Sequence, residues 1–439
     1  MKDIIELFPD NWEVKKFRQI FSFRKGLSIT KEDLLEEGCP VISYGQVHSK
    51  ENTGIGINQT LIRFVSEKYL YTDKISIVEP GDFIFADTSE DIDGVGNCVF
   101  VDFKSTLFAG YHTIIVLPTI SECYPQYFAF LFLTDFWRAN LRAKVMGVKV
   151  FSITQKLLRE TFVVLPPVYE QRAIANSLHK ECAHIDSIAA DLEKQIALLQ
   201  KYKKSLITET VTKGLDKSVP MKDSGVACIG LVPMSWGYKK LGYMADVTKL
   251  AGFEFTNYFE YVDDGVIAIR GLNLKNFDVS LADIQYIPEK ISNMLPRSQV
   301  HYNDVLVSYA GTVGSVGLIT DTAKRYHLAP NVGKVTVFNE LIPRYLAYYL
   351  ISYTGQELID QLKNKNAQES ISMENIRRIK ILVPPQIEQQ NICDYLDKKT
   401  DEIDTLISAQ QKKLELMQAH KKSLIYEYVT GKKRVKEVR

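Results

Sequence analysis

The chain has 439 residues, enough for two or three domains, and its hydrophobic fraction of 46% is that of a folded protein rather than a disordered one. Its net charge of +1 argues mildly against a strongly basic nucleic-acid-binding block. Six widely spaced cysteines, no long apolar run and an acidic N-terminus predict no zinc site, disulfide framework, membrane span or signal peptide, so we expect a cytoplasmic protein.

The first part of the chain predicts strands and turns. Residues 74–78 and 82–86 are apolar clusters that predict strands on either side of a Pro80-Gly81 turn. The Gly-rich segment 93–97 lacks a following Gly-Lys-Ser/Thr, which favours a hairpin turn over a phosphate loop. Residues 127–143 predict an amphipathic helix, and residues 161–165 predict a strand that ends at a Pro-Pro pair.

A long helix is predicted from about Tyr169 to Thr212, because no Pro or Gly interrupts this stretch and Gly214 supplies a stop. Apolar residues recur every seven positions, with further apolar residues four positions later, which indicates a coiled-coil seam. The predicted seam residues are Leu178, Ile185, Leu192, Leu199 and Leu206.

The second half of the chain predicts the same order of elements. A strand over 303–308, a Gly-rich turn over 311–317, a helix over 344–362 and a strand over 380–383 precede a second Pro-Pro pair. A second long helix then ends at Gly431. Its predicted seam residues are Leu396, Ile403, Met417 and Leu424, with Gln410 at the remaining seam position.

An internal repeat underlies this order. Residues 165–171 return 218 positions later as 383–389, each with the pattern Pro-Pro-x-x-Glu-Gln, and Lys-Lys-Ser-Leu-Ile at 203–207 returns at 421–425. Near the domain starts, Pro9-x-x-Trp12 returns as Pro233-x-x-Trp236, at an offset of 224. The domain interiors match poorly.

The predicted fold is α+β, with a pseudo-two-fold repeat of two mixed domains joined by two long antiparallel coiled-coil helices. The predicted boundaries are 1–168, 169–216, 217–385 and 386–439, the last segment including a basic C-terminal tail. A helix of this length with one apolar seam needs a partner, and its own repeat is the nearest. The alternative is that each helix packs on its own domain.

Motifs for catalysis are missing from the sequence. There is no G-x-x-x-x-G-K-[ST], no H-E-x-x-H and no Asp/Asn-Pro-Pro-Tyr/Phe motif of an adenine methyltransferase, and no paired acid–Lys cluster of a nuclease. His179 and His184 lie five residues apart, off a shared helical face, and are interpreted as solvated residues rather than metal ligands. These absences favour a binding subunit over an enzyme.

The paired Pro-Pro-x-x-Glu-Gln boxes, the long helices that follow them and the two Pro-x-x-Trp entry motifs resemble the specificity subunit of Type I restriction-modification systems. The resemblance covers essentially the whole chain. It implies two target-recognition domains that each read half of a bipartite, asymmetric site on double-stranded DNA, and helices that set the spacing and dock two modification subunits. It also implies a restriction subunit as a partner, with S-adenosylmethionine in the modification subunit, ATP and Mg²⁺ in the restriction subunit, and no cofactor in this chain.

Candidate DNA-binding residues are polar side chains on predicted loops, since Arg suits guanine and Asn or Gln suits adenine. The alternative for each is an ordinary solvated side chain. The candidates are Tyr44, Gln46, Lys50, Asn52, Lys144 and Lys149 in the first domain, and Arg270, Asn273, Lys275, Tyr309, Thr312, Lys363 and Lys365 in the second.

Three other functions stay open from the sequence. The chain could be an autonomous nuclease or methyltransferase with unrecognised motifs, a coiled-coil adaptor that binds only protein, or the recognition subunit of a Type IIB-like system. Incubation of the chain with DNA, Mg²⁺ and S-adenosylmethionine separates the first, a gel shift separates the second, and the neighbouring genes separate the third.

Overall fold

The computed structural model describes residues 8–145, 150–252, 254, 258, 260–275, 277–364 and 369–435. The described residues divide into two compact units. The first unit falls within Met1–Leu192 and Lys412–Arg439, and the second within Glu193–Gln411. Each unit therefore contains one globular domain and a stretch of both long helices.

Two four-stranded sheets form the first domain. One sheet has the order β2-β10-β6-β8 and is antiparallel, and the other has the order β4-β3-β9-β5, with β3 and β9 parallel. β1 pairs with β12, so the start of the domain lies beside the strand that enters the first long helix. The strands are β1 (Glu13–Lys16), β2 (Phe21–Lys25), β3 (Cys39–Ile42), β4 (Arg63–Val65), β5 (Ile77–Val78), β6 (Phe83–Ala86), β7 (Thr88–Ser89), β8 (Cys98–Phe100), β9 (Leu107–Ala109), β10 (Thr113–Pro118), β11 (Phe151–Ser152) and β12 (Phe162–Leu165).

The helices of the first domain cover an aromatic core. Phe17, Phe85, Phe132 and Trp137 are fully buried, and the rings of Phe132 and Trp137 lie 4.5 Å apart. Such ring pairs add to the free energy gained from apolar burial. The helices are α1 (Tyr44–Val47), α2 (Tyr69–Thr72), α3 (Pro125–Phe132), α4 (Asp135–Arg142) and α5 (Gln155–Arg159), followed by the long helix α6 (Val168–Lys213).

The second domain has the same sheet orders as the first. Its sheets are β16-β25-β22-β23 and β20-β17-β24-β21, with β17 and β24 parallel, and β15 pairs with β26. The strands are β13 (Met221–Asp223), β14 (Leu231–Pro233), β15 (Gly237–Lys240), β16 (Ala245–Lys249), β17 (Val266–Ile269), β18 (Leu274–Lys275), β19 (Asp278–Val279), β20 (Gln285–Ile287), β21 (Gln299–Val300), β22 (Val305–Ser308), β23 (Val316–Leu318), β24 (Tyr326–Leu328), β25 (Val332–Val337) and β26 (Lys380–Val383). The helices are α7 (Glu289–Met294), α8 (Pro343–Ile351), α9 (Tyr353–Leu362), α10 (Met373–Arg378) and the second long helix α11 (Gln386–Val429).

The long helices α6 and α11 pack antiparallel in both units, as predicted. In the first unit Asp186 accepts a hydrogen bond from the Lys421 Nζ at 2.6 Å, and in the second unit Asp404 accepts one from the Lys203 Nζ at 2.6 Å. These two ion pairs are repeats of each other, because both the two aspartates and the two lysines are 218 positions apart.

Two predicted helices are interrupted in the structure. The helix expected over 127–143 is divided into α3 and α4, because the Thr134 side chain accepts a hydrogen bond from the Trp137 backbone N–H and starts a new helix. The helix expected over 344–362 divides in the same way at Ser352, which accepts from Gly355 N–H. The strand expected over 74–78 is limited to Ile77–Val78, preceded by a 3₁₀ turn.

Both Gly-rich segments connect antiparallel strands, as predicted. Residues 93–97 lie between β6 and β8, which pair, and residues 311–315 lie between β22 and β23, which also pair. The turn predicted over 311–317 is shorter in the structure, because residues 316 and 317 belong to β23. All six cysteines are free thiols. Among the described residues, no helix is long and apolar enough to cross a membrane.

Candidate nucleic-acid interface and the domain–helix joints

The Trp and Glu of the two sequence motifs meet in the first unit. The Trp12 indole Nε1–H donates to the Glu170 Oε2 at 3.0 Å, and Asn11 donates to the Glu170 Oε1 at 2.6 Å. Glu170 lies in the first turn of α6, where the helix dipole favours a carboxylate, and it is only 8% exposed. We call this arrangement, with the adjacent Gln171, the first joint.

Gln171 completes the first joint through the backbone. Its side chain accepts a hydrogen bond from Tyr124 N–H at 2.8 Å and donates to the carbonyls of Glu122 and Pro166 at 2.8 and 2.7 Å. Gln171 is fully buried. These three bonds satisfy loop groups that would otherwise be buried without partners.

The second unit contains the same joint. The Trp236 Nε1–H donates to the Glu388 Oε2 at 2.9 Å. Gln389 accepts from Ile342 N–H at 2.8 Å and donates to the carbonyls of Glu340 and Pro384 at 3.0 Å each. We call this the second joint.

A buried tyrosine ties each domain to the end of the other long helix. In the first unit the Tyr127 hydroxyl donates to the Val429 carbonyl at 3.0 Å, and in the second the Tyr345 hydroxyl donates to the Val211 carbonyl at 3.2 Å. Burial raises the pKa of both phenols well above the ordinary value, so they stay protonated donors. Each bond satisfies a carbonyl that a helix end leaves unpaired.

Glycines end both long helices beside the joints. Gly214 and Gly431 have φ values of +73° and +75°, the left-handed conformation that ends many helices. A Cβ on Gly214 would lie 2.9 Å from the Glu388 Oε1 and 3.2 Å from the Trp236 ring. Each domain thus holds the start of its own helix and the end of the other one.

The predicted seam residues are all removed from solvent to some degree. Leu199, Leu206, Met417 and Gln410 are half-buried, and the Gln410 amide lies 3.2 Å from the Gln195 oxygen. The fully buried seam residues are Leu178, Ile185, Leu192, Leu396, Ile403 and Leu424.

In the first domain, two of the candidate DNA-binding residues are used to hold loops. The Gln46 Oε1 accepts from Ser43 N–H at 3.1 Å. Asn52 donates to two carbonyls, those of Val47 and Cys98, and accepts from Gly54 N–H. Their carboxamides already have backbone partners, which weakens the case for base contact.

The other first-domain candidates are more accessible. The half-buried Tyr44 ring lies 5.5 Å from the rings of both Tyr111 and His112. Lys50 and Lys144 are exposed, and Lys144 donates to the Glu160 carbonyl. Lys149 lies outside the described residues.

In the second domain, Asn273 occupies the place that Gln46 has in the first. Asn273 is fully buried, accepts from Arg270 N–H at 3.0 Å and donates to the carbonyls of Ser280 and Ala282. Arg270 donates to the Asp283 carbonyl.

The remaining second-domain candidates differ in their surroundings. The Tyr309 ring lies 4.9 Å below the Lys249 ammonium. Lys363 pairs with Asp360 at 3.0 Å and with Glu369, and the hydrogen bond to Asp360 raises the Lys363 pKa. Lys275 and Thr312 are exposed. Lys365 lies outside the described residues.

The sequence does contain a signal for the joints, namely that the Trp motif and the Glu-Gln box both recur in the second repeat. Trp12 and Glu170 are 158 residues apart, so this shared recurrence is what connects them before the fold is known. Among the described residues, no group of three or more His, Cys, Asp or Glu side chains could hold a metal ion.

The chain belongs to the family of the Type I restriction modification DNA specificity domain. The family profile matches residues 9–198 and again residues 235–416, so it covers both repeats. The family that the paired boxes indicate is thereby confirmed.

Individual relatives agree with this assignment. The Type I restriction enzyme MjaVIII specificity subunit of Methanocaldococcus jannaschii is 24% identical over 438 residues, which cover 98% of this chain and 95% of that protein. A chain from a structural study of complex assembly and conformational transition of the type I R-M system superposes with a TM-score of 0.70 at 17% identity, covering 97% of this chain and 99% of its own length. The HsdS subunit from Thermoanaerobacter tengcongensis gives a TM-score of 0.53 at 14% identity, covering 97% and 98%. At these identities the structures show a shared fold.

Proposed function

We propose that this chain is the DNA-reading specificity subunit of a Type I restriction-modification complex. Each domain reads one half of a bipartite, asymmetric site on double-stranded DNA, and the long helices set the distance between the halves. The observation that carries the proposal is a repeated frame with different loops. The two domains have the same sheet orders and the same joints but different loop side chains. One frame can thus present two reading surfaces.

The helices also dock two modification subunits. Leu198 and Leu416 are 56% and 59% exposed and lie at equivalent positions of α6 and α11. Tyr169 and Ile387, another equivalent pair, are 55% and 79% exposed. What supports this is the repetition: large apolar side chains are solvent-exposed at equivalent places of both helices, which fits two copies of one partner.

Catalysis belongs to the partners in this proposal. The modification subunits carry S-adenosylmethionine, the restriction subunits carry ATP and Mg²⁺, and this cytoplasmic chain has no cofactor of its own. The proposal is supported by the lack of nucleotide-binding and methyltransferase motifs in the sequence. A Type IIB-like recognition subunit would have the same reading surfaces, and an adaptor without DNA binding would not.

Genome-wide mapping of methylated adenines tests the reading function. A host that expresses this chain with its modification subunits should acquire methylation at one bipartite sequence, and a host without the chain should not. Methylation or cleavage by the purified chain alone would overturn the non-catalytic assignment. Failure of the assembled complex to shift any duplex from a random-site pool would favour the adaptor.

Size measurement of the assembled complex tests the docking surface. Leu198→Asp and Leu416→Asp should each remove one modification subunit, and the double variant should remove both. Leu231→Asp is the matched control, because Leu231 is also 56% exposed but lies on the strand β14 rather than on a long helix. Retention of both modification subunits by the double variant would contradict the docking surface.

A further inference from the structure

Three loops of the first domain meet at Asp87. The Asp87 N–H donates to the His112 carbonyl at 3.0 Å, and the Asp87 carbonyl accepts from Ile153 N–H at 2.7 Å. We call these residues the first loop junction. His112 has a φ of +53°, a left-handed conformation that is uncommon for residues other than glycine.

The second domain has the same junction with other side chains. Tyr309 N–H donates to the Asn331 carbonyl at 2.8 Å, and the Tyr309 carbonyl accepts from Ile371 N–H at 2.9 Å. Asn331 has a φ of +71° and directly precedes β25, as His112 directly precedes β10. Because the hydrogen bonds are repeated while the side chains differ, the backbone is a frame and the side chains are its variable part.

A lysine lies beside each junction at a repeated position. Lys25 ends β2 and Lys249 ends the equivalent strand β16, and both lysines are exposed. Lys25 lines a cleft of about 590 Å³ in the first domain together with His112, Gln155 and Lys156. A lysine that is common to both domains is suited to contact phosphate, which carries no sequence information. Side chains that differ between the two domains are suited to contact bases.

The variable side chains present groups that can read base edges. The His112 side chain is 57% exposed, and its Nδ1 lies 3.2 Å from the Asp87 Oδ1. A carboxylate only accepts, so Nδ1 donates to Asp87 and Nε2 is left for a base edge. Asn331 is exposed, and its carboxamide can bond adenine N6 and N7 at the same time.

We propose that His112 and Asn331 are specificity-determining residues that contact base edges in the major groove, one in each half-site, with Lys25 and Lys249 on the adjacent phosphates. This inference rests on the proposed function and assigns the recognition of bases in each half-site to particular side chains. Asn331 reads adenine, and His112 contacts a base edge through Nε2.

Selection of duplexes from a randomised library by the complete complex with its modification subunits tests the assignment. Asn331→Gly keeps the left-handed backbone and removes the carboxamide, so the preference for one base of one half-site should fall by about 10- to 100-fold, with the other half-site unchanged. His112→Gly should relax one position of the other half-site in the same way. Lys25→Gln should instead weaken binding to all sequences and reduce the salt dependence by the equivalent of about one phosphate contact.

The matched control is Asn303→Gly, since Asn303 is an exposed asparagine with a φ of +69° in the same domain but away from the junction. It should leave the selected sequence unchanged. The proposal is overturned if Asn331→Gly and His112→Gly select the wild-type sequence with undiminished preference, or if Asn303→Gly relaxes the site equally. A wild-type complex that selects no sequence would overturn the proposed function and this inference with it.

Discussion

Replacement of Gln389 by alanine tests whether the Glu-Gln box is a structural joint. Gln389 is fully buried and makes three hydrogen bonds to backbone groups, with Ile342 N–H, the Glu340 carbonyl and the Pro384 carbonyl. Alanine leaves these three groups without partners. At about 1 kcal/mol for each lost bond, the free energy of unfolding of the second unit should fall by about 3 kcal/mol.

Thermal unfolding of the purified chain, followed by circular dichroism, measures this effect. For a unit of this size, about 3 kcal/mol corresponds to a decrease in Tm of roughly 6–12 °C. Gln390→Ala is the control, because Gln390 is the adjacent residue of the same helix, is exposed, and donates to Asp394 one turn away. Loss of this hydrogen bond should lower the free energy of unfolding by about 0.3 kcal/mol and the Tm by about 1 °C.

The two variants also separate structure from DNA reading. Below its Tm, Gln389→Ala should bind the cognate duplex as the wild type does, because the second joint makes its bonds inside the domain. If Gln389→Ala had the same Tm as Gln390→Ala and yet lost DNA binding, the structural interpretation would be refuted. Gln171→Ala should destabilise the first unit similarly, since Gln171 makes the equivalent three bonds.

Three further changes test other contacts. Gly214→Ala should reduce stability by about 2–3 kcal/mol in denaturant titrations, because it adds a Cβ at positive φ against Glu388, whereas Gly225→Ala, also at positive φ but in open space, should lose about 1 kcal/mol. The buried His327 has a lowered pKa because burial disfavours its charged ring. The second unit should therefore lose stability as pH falls through about 6.5, where the unfolded chain gains the proton, and His327→Gln should remove this part of the pH dependence of Tm. A double-mutant cycle on the exposed Lys203–Asp404 pair should give a coupling of about 0.5 kcal/mol that shrinks in high salt, and a coupling that salt leaves unchanged would contradict this.

The long helices could be predicted from sequence because their signals are local. Pro-Pro pairs precede their starts, Gly214 and Gly431 follow their ends, and the apolar residues recur every seven positions. The sequence does not predict the breaks at Thr134 and Ser352, although both are residue types that cap helices, because the apolar periodicity continues across them.

The common topology of the domain interiors could not be predicted from residue identities. Phe83–Ala86 and Val305–Ser308 are equivalent central strands, buried at every position, yet they share no residue at equivalent places. A buried strand needs apolar volume rather than particular side chains, so its sequence can change while its pairing persists. The sequence predicts that Asn273 contacts DNA because of its carboxamide, and in the structure this carboxamide donates to the Ser280 and Ala282 carbonyls of its own loop. The sequence does not distinguish a loop-holding carboxamide from a base-reading one.

The joints explain why the two repeats resemble each other at the helices and differ in the loops. Glu388 accepts a hydrogen bond from the Trp236 indole, and Gln389 accepts one from the Ile342 N–H, so replacement of either residue leaves a donor of the joint without its partner. The backbone hydrogen bonds of each junction do not depend on the side chains of His112 and Asn331, so their replacement leaves those bonds in place. Replacement of His112 does remove the contact of its Nδ1 with the Asp87 carboxylate. Replacement by glycine, asparagine or aspartate, which tolerate the left-handed conformation of these two positions, should cost little stability. A new DNA specificity can therefore arise in one domain without destabilising its unit, provided that the joint residues stay as they are.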